Sequence, residues 1–162
     1  MENNIKEVEE ALLGLILTNK KIDDKLSQVF VFLDKSYFSN KENQETFEMF
    51  KYFYDKKIKE FDLTIINNYI SNKKLSNILT HSYINNLLNN AGYISSLNFY
   101  LSTINENNAK NKLKQSLESS LKDIPNLDSN NLIEIIRNDL FQIEDRKIST
   151  DFQKGGDRKS VV

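Results

Sequence analysis

The sequence predicts an all-α protein, with a compact bundle of about six helices followed by a long antiparallel helical hairpin. Long stretches place apolar residues at the spacing of a helix, and no segment alternates apolar and polar residues between turn residues as a strand would. Only one Pro and four Gly occur in the 162 residues. We therefore predict a helical bundle at residues 1–92, a hairpin that dimerises at 93–148, and a linker or residues added by cloning at 149–162.

The first predicted helix, about residues 7–17, is apolar on nearly every side by its third turn. Such a helix is central to a core and has neighbours on several flanks. Gly14 costs this helix about 1 kcal/mol relative to Ala, so we expect another backbone to approach closely there. Asn4 is the predicted N-cap, and Glu7 would complete a capping box.

Two more helices are predicted in the first half of the chain. The second helix buries one apolar face, which comprises Ile22, Leu26, Val29, Phe30 and Leu33. The third, about residues 41–57, is capped by Ser39 or Asn40. It carries a mostly aromatic stripe of Phe47, Phe50, Tyr54 and Ile58, with Met49 and Phe53 beside it. Aromatic residues can stack nucleobases, but at helical spacing in a chain without a basic surface we interpret this stripe as core.

Short helices are predicted after residue 60. Asp62 caps one that carries Ile65 or Ile66, Tyr69 and Ile70. Two others are expected at residues 76–79 and 82–89, and Asn90 to Gly92 ends the second of them. His81, the only His, has no partner residue nearby, so we interpret it as a surface or capping residue.

Two long helices form the predicted hairpin, one from about residue 95 to 122 and one that begins after Pro125 at Asp128 or Ser129. The second carries Ile133, Ile136, Leu140 and Ile143 at spacings of three, four and three, which is the narrow seam of a coiled coil. A lone hairpin would leave this seam in water. We therefore predict that these four residues form a homodimer interface that builds towards a ring.

Composition excludes several classes of protein. Lys and Arg total 22 against 23 Asp and Glu, so direct DNA binding should be weak or absent. The absence of Cys excludes a disulfide scaffold and a thiolate metal site. No segment resembles a membrane span or a signal peptide, so we expect a soluble cytoplasmic protein that does not interact with membranes. The frequent use of Asn, Lys and Ile indicates an AT-rich bacterial genome.

The sequence gives no convergent set of catalytic groups. We interpret the acidic residues as helix-start or solvated charges, namely Glu7, Glu9, Glu10, Asp23, Asp24, Glu144 and Asp145. Lys159 and Ser160 lack the second Gly and the preceding strand of a phosphate loop. We therefore predict no catalytic, cofactor-binding or metal-binding residue, and a role in binding or assembly.

The string from Glu7 to Asn19 resembles the first helix of the bacterial replicative DNA helicase of the DnaB type. There the pattern is Glu-x-Glu, two residues, an apolar pair, Gly, a further apolar run and Asn. Weaker similarities follow in register over about residues 5–148. They comprise Phe38, Phe47, Phe61 to Leu63, Tyr83 to Leu87, and Tyr100 with Ile104 and Glu106. The chain departs from the family where Gly-Gly should precede Tyr83 and Thr-Pro-Ser should precede the hairpin.

The resemblance implies the amino-terminal domain of such a helicase, which forms a collar of dimers around the hexamer and docks primase. It implies that ATP and magnesium serve only the helicase domain, which this chain lacks. Tyr69, Tyr83 and Tyr93 are predicted to be half-exposed, and we expect them to contact primase because Tyr suits surfaces that are apolar on one side and wet on the other.

Two other functions remain open at this point. The chain could be the helicase-binding carboxy-terminal domain of a primase, or a stand-alone helicase loader or replisome adaptor. The Glu-x-Glu string at the start of the chain favours the helicase, because no zinc or polymerase domain precedes it. A Walker loop encoded after residue 150 would indicate the helicase, whereas a stop codon there would indicate an adaptor.

Overall fold

The computed structural model describes the backbone of residues 2–155 and the side chains of residues 5–147, and this part of the chain contains helices and no strand. The all-α prediction is confirmed. The helices are α1 (Glu2–Asn19), α2 (Gln28–Phe32), α3 (Lys41–Asp55), α4 (Leu63–Asn72), α5 (His81–Asn89), α6 (Leu97–Asp123) and α7 (Ser129–Gly155). Short 3-10 turns at Lys35–Tyr37 and Ile94–Ser96 precede α3 and α6.

The chain divides into two compact units, residues 1–104 and 105–162. The first unit contains α1 to α5 and the first two turns of α6. Those turns belong to its core through four buried residues, Leu97, Tyr100, Leu101 and Ile104. The division therefore falls later than the predicted boundary at residue 92, because the start of the long helix has an apolar face of its own.

α1 is the central helix of the first unit, and every residue from Leu12 to Leu17 is buried. A Cβ atom at Gly14 would collide with the Leu87 carbonyl oxygen and lie 2.8 Å from Ala91 Cα. Both are backbone atoms at or just after α5. The predicted close approach of a second backbone at Gly14 is therefore confirmed.

α3 supplies the aromatic centre of the same core. Phe47, Met49, Phe50 and Phe53 are buried completely or nearly so. The rings of Phe50 and Phe53 lie 5.5 and 5.1 Å from the ring of Phe61. Tyr54, predicted in the same stripe, is 38% exposed and stacks on Phe30 instead.

Side-chain caps fix several of the predicted helix starts. The Asn40 side chain accepts a hydrogen bond from the Asn43 N–H at 2.8 Å, and Asp62 accepts one from the Ile65 N–H at 3.0 Å. The Asp128 side chain accepts one from the Asn131 N–H, in the first turn of α7, at 3.2 Å. His81 is the exposed first residue of α5, which confirms its interpretation as a surface residue.

Three predicted elements were wrong. α1 begins at Glu2, so Asn4 lies inside the helix and is not its N-cap. The second helix is only Gln28–Phe32, because the Asp23 side chain accepts from the Leu26 N–H at 2.9 Å and holds a turn. Residues 76–79 form a single turn rather than a helix, since Thr80 already caps α5.

The second unit is an antiparallel helical hairpin in which a short loop at residues 124–128 joins α6 to α7. Glu106 pairs with Lys147 at 2.9 Å, and Ser116 donates to Asp139 at 2.8 Å. α7 continues to Gly155, into the segment predicted as a linker. The rejected phosphate loop at Lys159 and Ser160 lies outside the described residues.

Candidate functional site

The hairpin has an unusual distribution of polar and apolar side chains. Within the second unit, the buried residues of α6 are all polar, namely Asn105, Asn108, Ser116 and Ser120. The Ser120 hydroxyl is buried and has no hydrogen-bond partner in the described part of the chain. Because hydrophobic stabilisation scales with the apolar area buried, the interior of this hairpin provides little of it.

Most large apolar side chains of the hairpin are exposed, whereas Leu127, Leu132, Ile136 and Ile143 are half-buried. The exposed ones comprise Leu113, Leu117, Leu121, Ile124, Ile133, Ile135, Leu140 and Phe141. Leu121 is 66% exposed and Phe141 is 69% exposed. Single exposed apolar residues are normal on a protein surface, but exposed apolar residues that lie together are typical of an interaction site, and Leu113, Ile133, Leu140 and Phe141 line one groove.

The four predicted dimer residues lie together, with Ile133 and Leu140 exposed and Ile136 and Ile143 half-buried. Ile133, Ile136, Leu140 and Ile143 line an open groove of about 750 Å³, which we call the hairpin groove. Leu113 and Phe141 complete its apolar lining, and Arg137, Glu144 and Lys147 add charged groups. Sequence reasoning did not assign Leu113 and Phe141 to an interface. Leu113, Leu117 and Leu121 recur every four residues, and this spacing could have shown that α6 contributes to the apolar surface of the hairpin.

The three tyrosines predicted to contact primase lie on different elements of the first unit. Tyr93 precedes α6, is 75% exposed, and its N–H donates to the Tyr100 hydroxyl at 3.2 Å. Tyr69 is half-buried on α4, with its ring 5.3 Å from that of Tyr52. Among the described residues, no ring contact joins any two of these three tyrosines.

Tyr83, on α5, uses its hydroxyl inside the bundle. This hydroxyl donates to the Asn43 side chain at 2.7 Å, and Thr46 lies 3.1 Å from it. Burial raises the pKa of the Tyr83 hydroxyl well above its usual value. Only the half-exposed ring of Tyr83 remains available to a partner.

Glu9 is the centre of the same buried network, which sequence reasoning missed. Its carboxylate accepts from the Ser39 N–H at 3.0 Å, the Ser39 hydroxyl at 2.9 Å and the Asn43 side-chain amide at 2.7 Å. Burial raises the pKa of this carboxyl, although the hydrogen bonds act in the opposite direction. Glu9 therefore ties α1 to α3 and to the turn before it.

The interpretation of Glu9 and Glu10 as solvated charges was wrong. Glu9 is fully buried, and Glu10 is 6% exposed and accepts from the Asn86 side chain at 2.9 Å. The signal was available, because Glu9 precedes Leu12, Leu13 and Ile16 at helical spacing and so shares their buried face. The other acidic residues in that set are exposed as predicted: Glu7, Asp23, Asp24, Glu144 and Asp145.

No group of three or more His, Cys, Asp or Glu side chains within the described residues is placed to hold a metal ion. In the same part of the chain, no helix combines the length and the apolar character needed to cross a membrane.

A family model described as the DnaB-like helicase N terminal domain matches residues 1–106 of the chain. The match covers the first compact unit and the first two residues of the second. It confirms the family resemblance over the bundle, whereas the resemblance through the rest of the hairpin stays a prediction. No curated protein matches the chain.

Proposed function

The chain belongs to the family of DnaB-like helicase N-terminal domains, and we propose that it forms the collar of a replicative DNA helicase by pairing with copies of itself. The pairing surface in this proposal is the hairpin groove. ATP hydrolysis, with its requirement for magnesium, belongs to a separate helicase domain. The location is the replisome in the cytoplasm.

The observation that carries this proposal is that the fully buried residues of the hairpin are polar, while most of its large apolar side chains are exposed. A second copy would cover the exposed side chains that line the groove, and burial of such area is the main favourable term in protein association. Most soluble oligomers use two-fold interfaces, in which the same patch on each copy meets the other.

The charges beside the groove also suit a two-fold pairing. Arg137 and Glu144 lie at equal distances along α7 on either side of the point between Leu140 and Phe141. If two α7 helices cross antiparallel at that point, Arg137 of each copy meets the partner's Glu144. Such complementarity favours a defined register over other arrangements.

The proposal is tested by placing charges in the groove. Ile136→Asp combined with Leu140→Asp should give a folded monomer, because an unpaired buried charge is costly at an interface. Light scattering after gel filtration measures the mass, and circular dichroism measures the helical content. Asn131→Asp combined with Asn138→Asp is the matched control, since it adds the same charge on the opposite face of α7.

A strictly monomeric wild-type protein at high concentration would contradict the assembly role. Loss of helical content together with the dimer would show that the groove belongs to the interior of a single chain. A control variant that dissociates as completely as the groove variant would show that charge, and not position, is responsible.

We further propose that the assembled collar docks the helical carboxy-terminal domain of primase through the first unit and the base of the hairpin. The exposure of Tyr93 and the partial exposure of Tyr69 and Tyr83 support this role. The contact must be reversible as primers are laid, so we expect micromolar affinity, about −8 kcal/mol. Direct DNA binding remains weak in this proposal.

Calorimetry against the cognate primase fragment tests the docking. Tyr93→Ala should weaken binding, whereas Val31→Ala, at another exposed apolar position of the first unit, should not. If the protein is confirmed as dimeric and calorimetry detects no heat, primase docking is excluded, whereas self-assembly is unaffected.

Nucleotide turnover by the purified chain would contradict its assignment as a non-enzymatic domain.

A further inference from the structure

Two tyrosines and two lysines form an exposed cluster at the carboxyl ends of α3 and α4. The rings of Tyr52 and Tyr69 lie 5.3 Å apart. The Lys56 ammonium is 5.8 Å from the centre of the Tyr52 ring. The Lys73 ammonium is 5.8 Å from the Tyr52 ring and 5.9 Å from the Tyr69 ring. We call these four residues the tyrosine–lysine patch.

The patch lies in a basic stretch of the sequence, although the charges of Glu45 and Glu48 also act on Tyr69. Residues 51–74 contain six lysines and three acidic residues, although the whole chain has a net charge of −1. Two of those acids are already engaged, because Asp55 pairs with Lys51 and Asp62 caps α4. In the described part of the chain, Lys56 and Lys73 belong to no ion pair with a carboxylate.

We propose that the tyrosine–lysine patch is a binding site for single-stranded nucleic acid. Single-strand binding surfaces combine aromatic rings, on which bases stack, with positive charges that follow the phosphates. The Lys56 and Lys73 ammonium groups lie over the Tyr52 ring, on flexible side chains that can move to the phosphate of a base stacked there. Tyr52 is 39% exposed and presents enough of its ring for such a contact.

An acidic peptide would satisfy the lysines alone and would leave the exposed ring of Tyr52 without a role. Duplex DNA offers phosphates but keeps its bases stacked, so it cannot use the rings. The site is a small one on a chain of nearly neutral charge. Binding should therefore be weak and strongly dependent on salt, as we expect of this domain as a whole. The inference goes beyond the proposed collar function and does not depend on it.

Fluorescence anisotropy with a labelled oligothymidylate of about twelve nucleotides tests the proposal at about 50 and 200 mM salt. Tyr52→Leu keeps an apolar side chain but removes the stacking face, and should weaken binding about tenfold. Lys56→Gln combined with Lys73→Gln should weaken it by a similar factor and reduce the dependence on salt. Circular dichroism verifies that each variant is folded.

The matched control is Lys110→Gln combined with Lys112→Gln, which removes the same charge from exposed positions of the hairpin. This control should retain the wild-type affinity. The proposal is overturned if the oligonucleotide does not bind the wild-type protein at low salt, or if the control loses as much affinity as the patch variant. Equal binding of an oligoglutamate that competes for the patch would also overturn it. The dimerisation assay with the groove variant is independent of all these outcomes.

Discussion

Glu9 and Gly14 show how single residues of α1 determine the packing of the first unit. Gly14 allows the backbone at the end of α5 to contact α1 closely. Glu9 accepts hydrogen bonds from Ser39, in the turn before α3, and from Asn43 in α3 itself. Gly14 acts because it has no side chain, and Glu9 acts because its carboxyl group accepts hydrogen bonds. Both are fixed by neighbours that lie far away in the sequence.

Gly14→Ala should destabilise the first unit. The added methyl group gains about 1 kcal/mol in helix propensity but collides with backbone atoms that cannot rotate away, and overpacking costs about 1–3 kcal/mol. We expect a net loss of about 1 kcal/mol in the free energy of unfolding, measured by urea denaturation. Glu7→Ala, at an exposed position of the same helix, is the control and should change stability little. Unchanged or increased stability of Gly14→Ala would contradict the observed close approach.

Glu9 should make the stability of the bundle depend on pH. Because burial raises the pKa of this carboxyl above its usual value of 4.5, the native state binds the proton more tightly than the unfolded chain. Protonated Glu9 therefore makes its full contribution to the stability of the folded state below pH 4.5, and this contribution is lost as pH rises through the folded-state pKa. Urea unfolding of wild type and Glu9→Gln at several pH values isolates this contribution. The stability difference, wild type minus variant, should fall as pH rises. A difference that rises with pH would show that the hydrogen bonds outweigh burial.

At the scale of the elements, lysines end three helices in an unusual backbone conformation. Lys20, Lys57 and Lys74 have positive φ angles of 62°, 58° and 58°. After α3, the Lys57 N–H donates to the Tyr54 carbonyl and the Ile58 N–H to the Phe53 carbonyl, which is the Schellman pattern. A residue with a Cβ atom pays about 1–2 kcal/mol for this conformation, whereas Gly adopts it freely.

Lys57→Gly should therefore stabilise the first unit by about 1 kcal/mol. Its neighbour Lys56 has a φ angle of −84°, so Lys56→Gly should destabilise the protein through the added freedom of the unfolded chain. Thermal unfolding of the two variants provides a paired comparison at adjacent positions. Changes of the same sign in both variants would contradict the assignment of strain to Lys57.

At the scale of the whole molecule, the two units differ in the source of their stability. The first has its own core of aromatic and aliphatic side chains, centred on α1 and α3. In the second, the fully buried residues are polar and the large apolar ones are exposed or half-buried, so its described residues form no comparable core. Pairing with a second copy would give the hairpin the apolar burial that its own interface does not provide.

If the hairpin pairs as proposed, its stability should depend on protein concentration. An interaction that occurs only in the folded state raises the unfolding midpoint by mass action. The midpoint of thermal unfolding, measured by circular dichroism, should rise by several degrees over a hundredfold increase in protein concentration. Mass action stabilises the paired state by roughly 2.7 kcal/mol over that range. The Ile136→Asp, Leu140→Asp variant should not show this shift. A midpoint independent of concentration in the wild-type protein would argue against pairing.

The sequence by itself determined the helical class, most helix boundaries, the cap at Asp62 and the reason for Gly14, and it narrowed the cap of α3 to Ser39 or Asn40, because these depend on periodicity and on local hydrogen bonds. The sequence also placed four apolar residues on one face of α7, namely Ile133, Ile136, Leu140 and Ile143. Tertiary structure decided the rest. The burial of Glu9 depends on Ser39 and Asn43, which lie at least thirty residues away in the sequence, and no local pattern records those partners. The tyrosine–lysine patch likewise exists only because folding brings the ends of α3 and α4 together.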